Sequence, residues 1–222
     1  MWDIKKIFIA GACLFAMQTN ALLAEDSIAS QRSGLFIGPE IGGSIAYVWD
    51  AEKDGPKPTG EYSYVTPDPT FNILLGGKIG WQQYFNAYNG LRAYGVFNWV
   101  NFKFPNIEKT DSFLKYSINL DYVVSFSKEK SYWGMFAGLG YQWVQSKTLS
   151  DLKKALPYID EFDSVNNNGL LINIGVLENI DEHHQIEAGI RIPVYYYAKG
   201  EDEVSTNTLR SLDIYLAYNY KF

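Results

Sequence analysis

From Leu212 to the terminal Phe222, every second residue is apolar. Leu212, Ile214, Leu216, Tyr218, Tyr220 and Phe222 share one face, while Ser211, Asp213, Tyr215, Ala217, Asn219 and Lys221 share the other. A side-chain period of two belongs to a β-strand with one apolar and one polar side. Seven further stretches repeat the pattern, over residues 34–49, 71–85, 91–104, 112–126, 132–146, 169–177 and 184–197. The cleanest sets Leu114, Tyr116, Ile118, Leu120, Tyr122, Val124 and Phe126 against Lys115, Ser117, Asn119, Asp121 and Ser125.

Such strands suit a soluble sandwich or lipocalin-like barrel with the apolar face inward, or a membrane barrel with that face outward. Two features favour the membrane barrel. Glycines crowd the polar face (Gly34, Gly38, Gly42, Gly76, Gly80, Gly134, Gly138, Gly140, Gly175 and Gly189), as a narrow interior requires. Aromatics such as Trp49, Trp81, Phe85, Trp99, Trp133, Tyr141 and Trp143 gather near strand ends on the apolar face, as interfacial girdles do. No run of about 20 apolar residues offers a transmembrane helix. A closed barrel is then the remaining way to cross a bilayer with every backbone group paired.

The connections alternate long and short, with long ones at 50–70, 105–111, 148–168 and 198–208 and tight turns between them. That is the rhythm of barrels with long extracellular loops and short periplasmic turns. The reading is all-β: a single domain, 25–222, forming an eight-stranded antiparallel transmembrane β-barrel of the outer-membrane type. Within the third loop, Ser150 to Leu156 suits one or two helical turns.

The N-terminus agrees with that compartment. Lys5 and Lys6 precede an apolar run from Ile7 to Met17, and Ala21-Leu22-Leu23-Ala24 leads into Glu25-Asp26. This predicts a signal peptide over 1–24, cleaved after Ala24 or, alternatively, after Ala21. Cys13 continues into Leu14-Phe15-Ala16-Met17 rather than a polar tether, so a lipoprotein box is disfavoured, and the leader takes the one cysteine with it. The formal net charge is −6, and removing Asp3, Lys5 and Lys6 (together +1) leaves −7. An acidic chain with no basic stripe excludes nucleic acid as a partner.

The ending carries its own expectation. Tyr215, Ala217, Tyr220 and Phe222 are spaced as in the signal read by the barrel-assembly machinery, with Ala217 where a glycine is usual. The expected partners are that machinery, periplasmic chaperones, and outer-membrane lipid with lipopolysaccharide. On the inward faces the pattern places Glu40, Asp121, Glu187 and Asp213 with Lys78, Arg92, Lys115, Arg191 and Lys221. Eight strands leave a lumen that side chains fill, so these charges pair and plug it or, in the alternative reading, line a narrow gated pore.

The first and fourth loops are acidic, through Asp50, Glu52, Asp54, Glu61 and Asp68, and through Glu201, Asp202 and Glu203. They serve either as a solvated surface or as a contact surface for a host ligand, anchored by Tyr62, Tyr64, Tyr158 and Phe162. The two histidines, His183 and His184, fall in a short turn away from the long loops. No Ser/His/Asp set converges and no metal-ligand spacing occurs, so neither enzyme activity nor a cofactor is expected.

Several stretches resemble the Helicobacter outer membrane protein family. Leu75-Gly76-Gly77-Lys78-Ile79-Gly80-Trp81-Gln82-Gln83-Tyr84-Phe85, an Asn-Gly turn and Leu91-Arg92-Ala93-Tyr94-Gly95-Val96-Phe97 look like its glycine-aromatic hairpin. Gly134 to Gly140 resembles its glycine-rich strand, Ile186-Glu187-Ala188-Gly189-Ile190-Arg191-Ile192-Pro193 its Ile-Pro strand, and Ser211 to Phe222 its ending. The resemblance implies an outer-membrane barrel in a family with adhesin and porin members. It departs in one place: adhesin members carry a large cysteine-paired domain after the first strand, where this chain has only Asp50 to Thr70. The expected function is a surface-exposed outer-membrane protein with a structural or adhesin-like role, or alternatively a small porin.

Overall fold

In the computed structural model, which describes residues 27–52, 69–104, 110–158, 163–201 and 205–222, the alternating stretches become ladders of one closed sheet. A short helix α1 (Ser27–Arg32) precedes β1 (Gly34–Glu52), β2 (Thr70–Tyr84), β3 (Asn89–Lys103), β4 (Thr110–Ser125) and β5 (Tyr132–Gln145). Helix α2 (Lys147–Ala155), a 3₁₀ turn (Leu156–Tyr158) and the two-residue β6 (Ser164–Val165) follow. The remaining strands are β7 (Asn168–Asn179), β8 (His184–Pro193), β9 (Ala198–Glu201) and β10 (Ser205–Lys221). Strands β1, β2, β3, β4, β5, β7, β8 and β10 pair in that order, all antiparallel, and β10 pairs back onto β1 from Phe36↔Lys221 to Glu52↔Ser205. This is the expected eight-stranded barrel, and closure leaves it without an edge.

The faces follow the sequence pattern. Leu114, Ile118, Leu120 and Tyr122 of β4 turn outward, and Lys115, Ser117, Asn119 and Asp121 are buried inside. On β5 the outward aromatics Trp133 and Trp143 mark the two rims. Ten residues at about 3.3 Å each, tilted by about 45°, span about 23 Å, close to the height of a lipid-facing band. Inside, three glycines sit directly opposite aromatic rings: Gly80↔Tyr94, Gly175↔Phe136 and Gly189↔Tyr215. A Cβ on Gly189 would lie 2.6 Å from the Tyr215 ring. The glycines make room for large side chains in a narrow lumen.

Four elements differ from expectation. The alternation of 184–197 predicts one strand, but β8 stops at Pro193, which has no N–H for the ladder. The chain then turns, and Tyr197 is buried over the lumen. The last strand begins at Ser205 rather than Leu212, because β1 and β9 give its early residues partners. Helix α2 starts before Ser150 because Ser146 caps it: its Oγ accepts from Leu149 N at 3.1 Å. Asp111 Oδ2 holds that cap, accepting from Ser146 Oγ at 2.5 Å and Thr148 N at 2.8 Å. Helix α1 was not foreseen at all.

Candidate functional site in the barrel lumen

Every second residue of a strand points inward, so charges on strands up to four places apart around the barrel meet across the lumen. Glu40 of β1 accepts from Arg191 of β8 at 2.5 and 2.7 Å and from Asn98 Nδ2 at 2.9 Å. Lys78 of β2 lies 2.7 Å from Glu187 and 3.8 Å from Glu40. Arg92 of β3 joins Asp121 at 2.8 Å to Glu187, and Asn219 Nδ2 donates to Glu187 at 2.5 Å. Lys115 reaches Asp213 at 2.7 Å and Ser44 Oγ at 3.0 Å.

Four cations thus meet four carboxylates, all buried. The rings add to this: Arg191 lies 3.9 Å over Tyr215, Lys78 4.6 Å over Tyr215, and Arg92 4.3 Å over Phe136. A buried pair offsets its desolvation only when geometry and hydrogen bonding are good, and losing one partner strands the other. The chemical result is a cross-linked polar layer that fills the middle of the lumen.

At the long-loop end the filling becomes apolar. Phe102 and Phe113 stack at 4.1 Å, with Tyr197 edge-on to both at 6.0 and 5.5 Å. Leu74, Val100, Val144 and, from α2, Leu149 close around them, all at 2% exposure or less. The opposite, outward positions there are polar and exposed: Asn101, Lys103, Ser112 and Gln145. Sequence reasoning missed this seal, although that exchange of faces between Trp99 and Phe104 signals it.

At the short-turn end, α1 covers the opening. Ala29 is fully buried among Tyr84, Val123 and Tyr132. The Arg32 guanidinium donates to the Ala87, Ser127 and Glu129 carbonyls, the latter two at 2.9 and 2.8 Å. It also lies 3.7 Å over the Tyr132 ring, and Gln82 Nε2 donates to the Arg32 carbonyl at 2.5 Å. One side chain therefore ties α1 to the β2–β3 and β4–β5 turns. Nothing in the sequence of residues 27–32 announces that role.

The other predicted residues separate. Lys221 is buried but meets Asn179 Oδ1 at 2.8 Å rather than a carboxylate. Tyr215 and Ala217 point inward, and Tyr220 and Phe222 outward. Tyr158 is 87% exposed, whereas Tyr62, Tyr64 and Phe162 lie outside the described residues. His183 and His184 both contact the end of β10: His183 stacks on Tyr220 at 5.7 Å, and His184 Nδ1 is 2.5 Å from the Tyr218 hydroxyl. The amides of His183 and His184 hold the Asp181 carboxyl below its usual range. Among the described residues no His/Cys/Asp/Glu group could hold a metal ion.

Three open concavities, of about 770, 510 and 800 Å³, lie on the outward face between side chains such as Ile37, Ile79, Phe97, Ile41, Ile186 and Ile214. They are grooves in the apolar band and do not thread the lumen.

The family model described as Helicobacter outer membrane protein matches residues 76–222. The chain belongs to the Helicobacter outer membrane protein family. No curated protein matches it. Among solved structures it is similar to neisserial surface protein A, 14% identical over 83% of this chain and 97% of that one, with a TM-score of 0.38. It is similar likewise to OprG from Pseudomonas aeruginosa (14%, 86% and 97%, TM-score 0.37) and to the attachment invasion locus protein Ail of Yersinia pestis (14%, 83% and 99%, TM-score 0.35). This member of the family is an outer-membrane β-barrel, and its apolar band meets the hydrocarbon. The family match begins within β2, so α1 and its Arg32 lie upstream of it.

Proposed function

We propose that this protein acts at the cell surface through its long loops, and that its barrel is a closed support rather than a conduit. The observation that carries this reading is the filled lumen: an aromatic seal at one end, an ion-paired layer in the middle, and Arg32 with α1 at the other. In this reading the long loops face outward, the short turns face the periplasm, and residues 1–24 are a leader removed on export. Lipopolysaccharide surrounds the loop end, the assembly machinery and chaperones read the Phe222 ending, and a host-surface ligand is met by the loops. The protein has no catalytic role, since its two histidines serve the turn that grips β10.

A planar-bilayer recording of the purified barrel tests the closed lumen. Only baseline current is expected, and a stable, reproducible conductance would instead establish the small-porin reading. Binding to host cells tests the surface role. It should fall when residues 53–68 and 150–163 are replaced by Gly/Ser linkers, and binding that survives both replacements overturns the loop assignment.

A further inference from the structure

Two strands leave the lipid band by the same outward succession. On β3 it runs Trp99, Asn101, Lys103, and at the end of β5 it runs Trp143, Gln145, Lys147. In each, an aromatic at the edge of the hydrocarbon is followed by an exposed amide and then by an exposed lysine. Between them β4 presents the exposed Ser112, paired with Asn101, and Leu114, paired with Trp99 on one side and Gln145 on the other. The two lysines therefore stand two interstrand spacings apart, about 10 Å across the ladder. On the opposite side of the rim the exposed outward residues are Trp49, Phe71 and Val194, and Arg210 there donates from Nε to Thr208 Oγ1 at 3.3 Å.

Among the described residues, neither Lys103 nor Lys147 has a carboxylate within ion-pair distance. Asp111 lies close by in sequence but is engaged. Its carboxylate accepts from Ser112 N at 2.8 Å, Ser146 Oγ at 2.5 Å and Thr148 N at 2.8 Å. Asp151, one helical turn beyond Lys147, is exposed to solvent. Lys147 also opens α2, whose first turn carries no acid. A cation at that position opposes the helix dipole unless an anion answers it. Gln145 Oε1 accepts from the Tyr116 hydroxyl, which leaves its Nε2 as an outward donor.

We propose that this strip docks one phosphorylated glycolipid of the outer leaflet, the acylated and doubly phosphorylated disaccharide on which lipopolysaccharide is built. The sugar lies across β4 with a phosphate toward each lysine, since an ammonium and a phosphate make strong charge-assisted hydrogen bonds. Its hydroxyls meet Asn101, Ser112 and Gln145, and its acyl chains run down over Trp99 and Trp143. Two properties of the strip select this occupant. It continues the lipid-facing band without a break, so whatever it holds also carries hydrocarbon. Its two cations are spaced for the ends of a disaccharide, whereas a phosphatidyl headgroup brings one phosphate to one lysine. The proposal rests on the reading that the long-loop end faces outward, and it gives lipopolysaccharide one particular place on that rim.

Native mass spectrometry of the assembled barrel in detergent, titrated with doubly phosphorylated lipid A, reads the binding directly. One lipid A retained per barrel is expected. Its affinity should fall about fivefold in Lys103→Gln or Lys147→Gln and about 30-fold in the double variant, from what one lysine contributes at an anionic lipid surface. Arg210→Gln, which removes a rim cation outside the strip, should leave the affinity unchanged. Fully dephosphorylated lipid A should bind the wild type as weakly as lipid A binds the double variant. Equal affinity in the wild type and the double variant overturns the proposal. An equal loss in Arg210→Gln, or displacement of lipid A by an equal concentration of phosphatidylglycerol, overturns it too, because either means attraction of any anionic lipid. If the double variant fails to assemble, the dephosphorylated lipid and the phosphatidylglycerol competition on the wild type still decide. The titration involves neither host cells, membrane orientation nor a current, so its failure is distinct from a failure of the surface role or of the closed lumen.

Discussion

Where β3 leaves the apolar band its two faces exchange character, and the turn end of the barrel does nothing of the kind. Phe97 and Trp99 point outward with Asn98 inside; two residues on, Asn101 and Lys103 point outward with Phe102 inside. The same exchange occurs on β4 and β5, where Ser112 and Gln145 are outside and Phe113 and Val144 inside. The strands are therefore inside-out within hydrocarbon and ordinary above it, where water is the solvent and apolar surface is driven inward. At the other end Phe85, Phe126, Trp133, Tyr220 and Phe222 stay outward to the last turn, so the strands finish level with the band. Closure there needs a separate piece, α1, and directional bonds from one guanidinium. One seal is distributed and apolar; the other is one short helix, packed through Ala29 and tied to two turns by one guanidinium.

The polar layer between them is common to both seals, and breaking it should have the largest effect. Glu187→Ala removes the carboxylate that Lys78 and Arg92 share and should destabilise the barrel by about 3–5 kcal/mol. Urea unfolding of the refolded barrel, followed by tryptophan fluorescence, reads this directly. A loss under about 1 kcal/mol would mean that water already solvates the layer. At the loop end, Phe113→Ala should cost about 3 kcal/mol, because the ring is fully buried between Phe102 and Tyr197. Hydrogen exchange should quicken at 100–104 and 144–149 while residues 82–90 keep their protection. Equal loosening at both ends would abolish the distinction between the seals.

At the turn end, Arg32→Ala should cost about 2 kcal/mol, since it leaves the Ala87, Ser127 and Glu129 carbonyls without their donor. Arg32→Lys should recover little of this, as one ammonium cannot reproduce a planar fork serving two turns. The expected readout is proteolytic release of α1 with the loop end unchanged. Protection of α1 in both variants would show that Ala29 packing alone holds it.

How far each region was legible follows from the same physics. The membrane band was readable because a two-residue period writes each side chain's face directly into the sequence, and Glu40, Lys78, Arg92, Lys115, Asp121, Glu187, Arg191 and Asp213 all meet inside. The loop seal was half-written. Val100, Phe102 and Phe104 continue the period, but their meaning reverses at a depth that the period itself does not encode. Arg32 was invisible, because its partners are backbone carbonyls 55 to 97 residues away, and carbonyls carry no sequence signature. Lys221 was expected among paired charges and instead meets only an amide, since register decides which neighbour each inward residue receives.

The smallest perturbation separates the two ends most cleanly. Ser146 caps α2 through Leu149 N and is itself held by Asp111, and α2 contributes Leu149 to the buried apolar cluster, with Leu152 packed against it. Replacing Ser146 with Ala removes one cap at a cost of about 1 kcal/mol, too little to unfold a closed barrel. That cost falls on a helix of nine residues, which is short enough to depend on its packing and its cap. The expected result is faster protease cleavage between 147 and 158, with gel migration of the folded barrel and protection of α1 unchanged. If cleavage does not quicken, the packing of Leu149 and Leu152 anchors α2 without the cap. If α1 loosens as well, the two seals communicate through the charged layer, and the lumen behaves as one cooperative unit rather than as two independently closed ends.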